Sequence, residues 1–351
     1  MTLIETEEQT LLRDMLRRYL ADAPSPADGP GAVWQGLADL GVLALPMAES
    51  AGGSGCGMAE LAVAMSELGR ALRPEPFVAC VVQGAGLIEA SPVAAGLLTE
   101  VGAGRLVLAL ADGLSGPGQV TATGDRLRGS VPQVAGGAGR LVVAARDAAD
   151  VPGLWLVEAG GPGVVLAPVT GPDGIVRAAL RLDDAPGLLL SAGDGVKAEL
   201  AAVQDRATIC HLAEALGVMD AVLEMTVAHL TTRHQFGRPL AACQVLQHRA
   251  AEMFVELELA RSMLAHAVAV EGAGPDAADR AAAVAVAQLR ICRAIRHLGP
   301  EAIQLHGGMG MAWETRVGHL FKRALAIDLM LGGEGAALDR LTATPAPVLM
   351  D

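Results

Sequence analysis

The sequence predicts a mainly α protein with a central β-domain: a helical N-terminal domain, a small antiparallel β-domain and a C-terminal helical bundle, at residues 1–103, 104–196 and 197–351. Three observations carry that prediction. Apolar residues recur at one-turn spacing through the first segment. Between 104 and 196 short apolar runs alternate with Gly, Pro and Asp, as they do in strands joined by turns. Beyond 197, three stretches of about 20 residues or longer keep a helical apolar period.

In chain order, Thr6 and Gln9 fit a capping box, the hydroxyl serving the N3 amide and Gln9 reaching back. Leu11, Leu12, Met15, Leu16 and Tyr19 then form an amphipathic stripe. Trp34, Leu37 and Leu40 make a second stripe, and Met58, Leu61, Met65 and Leu68 a third. Gly52-Gly53-Ser54-Gly55 reads either as a plain turn or as a loop that approaches a ligand, the turn being the commoner case. Strands are expected near 105–110, 140–145, 153–157 and 187–190. Helices are expected over 207–232, 245–271 and 277–298. In the second of these, Leu246, Met253, Leu257, Ala260 and Leu264 keep a heptad-like spacing suited to a packed bundle. Gly272-Ala273-Gly274-Pro275 breaks it from the third.

Composition narrows the function classes. The 351 residues exceed a typical domain of ~150, so two or three domains are expected. Hydrophobic residues make up 52%, which excludes intrinsic disorder. Aromatics are 2% and the net charge is −13, which argues against nucleic acid as a partner. No uncharged apolar run approaches ~18 residues, and Glu5 stands where a signal peptide would be basic. The five cysteines are scattered, with no CxxC pair, so neither a disulfide framework nor a metal site is expected. A soluble, cytoplasmic protein without membrane contact is the expectation.

Three polar clusters stand out in the last segment. Arg233-His234-Gln235-Phe236-Gly237-Arg238-Pro239, followed by Gln244 and Gln247-His248, offers two guanidinium forks to a phosphate or carboxylate. The same cations also suit plain helix C-capping, and spacing alone leaves both readings open. Gln304-Leu305-His306-Gly307-Gly308-Met309-Gly310 lets backbone amides approach an anionic or planar ligand, or simply caps a helix. Gly332-Gly333-Glu334-Gly335 places a carboxylate in what reads as a mobile loop, a general base or a solvated side chain. His234, His248, His306 and His319 add acid–base candidates, although histidines on helical faces are more often structural.

Together the clusters resemble the acyl-CoA dehydrogenase family over nearly the whole chain. The sharpest pieces are RHQFGRPL at 233–240, CQVLQHRAAEM at 243–253 and QLHGGMGM at 304–311. The resemblance implies a four-helix C-terminal bundle, FAD as cofactor and a flavin site that straddles subunits, hence a dimer or a tetramer built as a dimer of dimers. It implies that Arg233 contacts the flavin pyrophosphate, with Phe236 and Gln244 in the same motif, and that Gln304, Gly307 and Gly308 contact the adenosine end. The implied activity is FAD-dependent α,β-dehydrogenation of an acyl-CoA or acyl-carrier thioester, in lipid metabolism, with electron-transfer flavoprotein as a possible acceptor.

The sequence departs from the family at its base. Aligned without gaps from Gln304, the catalytic carboxylate falls on Leu331, and the alternative location falls on Ala207, beside Asp205 and Arg206. Glu334, three residues after Leu331, is the candidate catalytic residue, with Asp205 behind it and no local base as the third option. The β-domain segments expected to cover the flavin read ALADGLSGPG at 109–118 and VPQVA at 131–135, the second without a hydroxyl. These departures are similar to the smaller, base-poor subunit of unlike-subunit bacterial acyl-CoA dehydrogenases of sterol and dicarboxylate breakdown. Two further functions follow as alternatives: a supporting subunit that lacks a base, or a non-redox enzyme of the same fold, such as a dehydratase.

Overall fold

The computed structural model describes residues 5–23, 33–73, 75–115, 118–274 and 276–343. Residues 1–4, Gly116, Pro117 and Pro275, on which parts of the sequence reading fall, lie outside them. By proximity the chain forms two compact units: Met1–Ala23, Met58–Arg73 and Thr208–Asp351 in one, Pro24–Gly57 and Pro74–Ala207 in the other.

Among the described residues the second unit holds three short α-helices, two 3-10 turns, a π-helical segment at Val78–Gly84 and a sheet. The helices are α2 (Trp34–Asp39), α4 (Ala85–Ile88) and α5 (Ala94–Gly102). Seven strands follow: β1 (Leu108–Asp112), β2 (Gln119–Thr123), β3 (Arg126–Ala135), β4 (Arg140–Arg146), β5 (Pro152–Glu158), β6 (Val164–Thr170) and β7 (Val176–Ala192). Pairing runs β1-β4-β2-β3-β7-β5, and β5 pairs again with β4, so five strands close a ring. Most pairs are antiparallel, but β1 with β4, and Thr121 with Arg146, pair in parallel. Leu127, Leu141, Trp155 and Leu180 fill the interior. Strands β2 and β6 are absent from the sequence reading, and β3 entered it only as the 131–135 segment that the family resemblance implied. In β2 and β3 apolar residues alternate with polar or small ones, whereas β6, VVLAPVT, is an apolar run that stays mostly exposed. In the Gly52–Gly55 stretch a Cβ at Gly53 would overlap the Met47 backbone, so the turn reading holds there.

The first unit is helical. It contains α1 (Glu7–Asp22), α3 (Met58–Ala71), most of α6 (Gly195–Thr232), α7 (Gln244–Gly272), α8 (Ala277–His306), α9 (Arg316–Met330) and α10 (Gly333–Ala343). Both halves of the Thr6–Gln9 capping box form. Leu16 and Leu20 are buried while Leu11 is exposed, so the α1 stripe is narrower than its apolar residues suggest. All four residues of the α3 stripe are buried. Glu67 on α3 is buried and receives Arg13 and Arg17 from α1 at 2.7 and 2.8 Å. Helices α3 and α6 cross with backbones almost touching: a Cβ at Gly69 or Gly217 would overlap the Glu214 or Ser66 carbonyl. Arg323 of α9 reaches the buried Glu214 of α6 at 2.6 and 2.8 Å.

Helix α8 outruns its expected end at 298 and continues through Pro300 to His306. Asp276 caps its start by accepting from the amides of Ala278 and Asp279. The glycine cluster that follows winds into a 3-10 turn, Gly307–Met311. Among the described residues no helix is long and apolar enough to cross a membrane.

Candidate functional site

Arg233 sits where α6 ends, and its backbone is held from both sides. Its amide donates to the His229 carbonyl at 2.9 Å, and the Leu240 amide donates to its carbonyl at 2.9 Å. A two-residue hairpin follows, β8 (His234–Gln235) against β9 (Arg238–Pro239), turning at Phe236 and Gly237. Both turn residues have positive φ, +53° and +77°. That geometry matches the right-handed twist of a tight hairpin, but glycine or asparagine is its usual occupant. A phenylalanine there costs about 1–2 kcal/mol in backbone energy. Phe236 is also 92% exposed. Two unfavourable features at one residue point to a surface that something else covers.

The Arg233 side chain is exposed, and among the described residues its guanidinium makes no ion pair or hydrogen bond. Gln244, the first residue of α7, is exposed, and no side chain caps that helix start. On the glycine turn, Gln304 is exposed and Gly307 takes φ +62°. Space around Gly307 and Gly308 is open, whereas a Cβ at Gly310 would press on the Ile303 carbonyl at 2.6 Å. The cluster therefore divides into two approachable glycines and one required by packing.

One contact brings the two motifs together. The His229 ring on α6, one turn before Arg233, stacks on His306 at the end of α8, with centroids 4.6 Å apart and planes at 25°. His306 is buried, and its Nδ1 lies 2.9 Å from the Ala302 carbonyl, to which it donates. His229 is held below its ordinary pKa by burial, then by His306 and Arg233. Sequence reading missed His229; its only signal is its place one turn before the arginine. His234 and His319 each rest a ring nitrogen on a backbone carbonyl, which favours their structural reading.

The turn that carries Glu334 is built differently. Gly332 and Gly333, with φ +77° and +63°, turn the chain sharply from α9 into α10. Glu334 is therefore in the first turn of a helix and not in a mobile loop. Its carboxylate accepts from Arg293 Nε at 2.9 Å. The Gln288 amide donates to the carbonyls of Leu331 at 2.7 Å and Gly333 at 3.2 Å, pinning the turn. Asp328, fully buried, pairs with Arg296 at 2.8 Å. Burial and then the Asp328 carboxylate hold the Cys292 thiol far above its usual pKa, so it is a packed thiol and not a nucleophile. Asp205, the other candidate base, is buried at 6% exposure. Among the described residues no cluster of His, Cys, Asp and Glu could hold a metal.

Comparison with known proteins matches residues 6–91 to the acyl-CoA dehydrogenase N-terminal domain and residues 193–343 to the acyl-CoA dehydrogenase C-terminal domain. Acyl-CoA dehydrogenase FadE27 of Mycobacterium tuberculosis is 30% identical, over 90% of this chain and 89% of its own. Acyl-CoA dehydrogenase FadE34 of the same organism is 31% identical over 96% of this chain, which spans 48% of that protein's length. Among solved structures, a chain of the ChsE4–ChsE5 complex from Mycobacterium tuberculosis superposes with a TM-score of 0.87 at 27% identity, covering 99% of this chain and all of that one.

Proposed function

Because this chain belongs to the acyl-CoA dehydrogenase family of flavin oxidoreductases, we propose that it serves FAD-dependent α,β-dehydrogenation of an acyl thioester as the cofactor-holding, base-poor member of a two-chain enzyme. The observation that carries this reading is a contrast between two turns. Arg233 and Phe236 are exposed, while Glu334 is engaged by Arg293 on a pinned turn.

The residues present fit a flavin dinucleotide. An unpaired guanidinium suits a diphosphate, which it binds through a bidentate fork. Phe236 offers an apolar face whose exposure a planar ligand or a neighbouring chain would end. Gln244 and Gln304 supply amide groups that both donate and accept, and open space at Gly307 and Gly308 admits a ligand to the backbone. When bound, FAD accepts the β-hydrogen of the thioester with its electron pair.

Removal of the α-proton needs a carboxylate within hydrogen-bond reach of Cα, in a site that excludes water. Leu331 cannot take a proton, and moving Glu334 would break both its pair with Arg293 and the Gln288 clamp. The base therefore comes from a related partner chain, an arrangement consistent with the two-chain make-up of the ChsE4–ChsE5 complex. On this reading the enzyme is a cytoplasmic dimer of dimers acting on acyl-CoA or a carrier-bound acyl group, with electron-transfer flavoprotein as acceptor.

The test is a visible spectrum of the chain purified alone and again after co-expression with a related chain. Little flavin absorbance alone, with full flavin bands and turnover in the pair, is expected. A yellow, active chain by itself, inactivated by Glu334→Gln, would overturn the base-poor assignment.

A further inference from the structure

The His229–His306 stack has no part in the reading above, yet it joins the two motifs assigned to the cofactor. His229 is half-buried on α6, and Arg233 follows it by one helical turn. The charges that act on His229 are those of His306, facing it from α8, and Arg233 on its own helix; no carboxylate is among them. Among the described residues, burial, His306 and Arg233 all disfavour the protonated ring. His306 donates its Nδ1 proton to the Ala302 carbonyl, which fixes the lower ring of the stack in orientation.

We propose that His229 is a proton-linked positioning residue of the diphosphate site, taking up one proton from solvent when a diphosphate anion binds beside Arg233. The proposal rests on the dinucleotide reading of Arg233 given above. Without the anion, partial burial and then His306 and Arg233 disfavour the imidazolium. A diphosphate engaged by Arg233 reverses the sign of the local field, and the protonated ring then adds a second positive charge to the guanidinium. Only one proton is taken up, since two cationic rings stacked at 4.6 Å would repel. The His306 ring supplies a face for the imidazolium.

The sign of the linkage follows. A group whose pKa is lowered in the free protein and raised in the complex binds more protons in the complex, so binding strengthens as pH falls. The gain starts near the pKa of the bound state and levels off below that of the free state.

The test uses the co-expressed two-chain assembly, stripped of flavin, and ADP, which carries the adenosine and diphosphate of the dinucleotide. Titration calorimetry near neutral pH in two buffers of different ionisation heat counts protons taken up, and NMR of the histidine Cε1–H signals identifies the ring. We expect net proton uptake on binding, an affinity gain of about fivefold from pH 8 to pH 6, and loss of both in His229→Gln. Arg233→Ala should weaken ADP binding by about 10–100-fold. His306→Gln serves as a second variant that keeps the His229 ring and should change, but not abolish, the uptake.

ADP binding that depends on Arg233 but takes up no proton, or takes it up equally in His229→Gln, overturns the proposal and leaves the cofactor reading intact. Failure of ADP to bind at millimolar concentration, or binding indifferent to Arg233→Ala, overturns the cofactor reading and the proposal together.

Discussion

The hairpin after α6 and the turn between α9 and α10 lie in the same compact unit, and they solve opposite problems. At the hairpin the chain accepts cost: an aromatic at positive φ, almost wholly exposed, beside a cation with no partner among the described residues. At the second turn Gln288 answers two carbonyls and Arg293 answers Glu334, although the buried Asp328 Oδ1 beside it has no hydrogen bond among the described residues. Local strain and unpaired charge persist where a ligand or partner later compensates them, while closure of the hydrogen bonds marks a structural joint. On the proposed reading, the difference separates a cofactor-facing hairpin from a structural joint.

The largest expected effect sets the background common to both turns. Arg323→Leu leaves Glu214 buried and charged and should cost about 3–5 kcal/mol in urea denaturation. Burial alone would raise the Glu214 pKa, but Arg323 and His211 more than offset it and bring it to about 2. Stability from this pair is therefore complete above the ordinary carboxylate value of 4.5 and is lost as pH falls towards 2, which acid titration followed by circular dichroism checks.

Arg233→Ala should then weaken dinucleotide binding by about 10–100-fold, the worth of a lost charge-assisted fork, without lowering the melting temperature. Equal losses of binding and stability would break the contrast. Gln288→Ala should do the reverse, costing about 1–3 kcal/mol because the Leu331 and Gly333 carbonyls lose their donor. Phe236→Asn should raise stability by about 0.5–1 kcal/mol, since asparagine tolerates the left-handed turn, while reducing dinucleotide affinity. The smallest effect belongs to Glu334→Gln: its half-exposed pair is worth under about 1 kcal/mol. Turnover of the assembled enzyme should stay within about twofold, whereas a fall of about 100-fold or more would make Glu334 the base after all.

The candidate site was proposed from the sequence because its signals are local. Arg233, Phe236 and Gln244 fall within one short motif, and Gln304, Gly307 and Gly308 within another. Their spacing survives into the structure because each motif spans one helix end and the turn beside it. The fate of Glu334 was not legible. Glycines on both sides suggest mobility, but the decisive partner, Arg293, lies 41 residues away. His229 was hidden for the same reason, its meaning coming from a ring on another helix.

By itself the sequence determined the order of helical and β segments, the capping box, the α3 stripe and the two local motifs at 233–240 and 304–311, since periodicity and turn chemistry act over a few residues. Tertiary packing decided that α1 and α3 join the C-terminal helices in one unit, and which glycines are open or required by a neighbour. It also turned one candidate carboxylate into half of an ion pair. These outcomes depend on which distant backbones and charges meet, and no local pattern encodes that meeting.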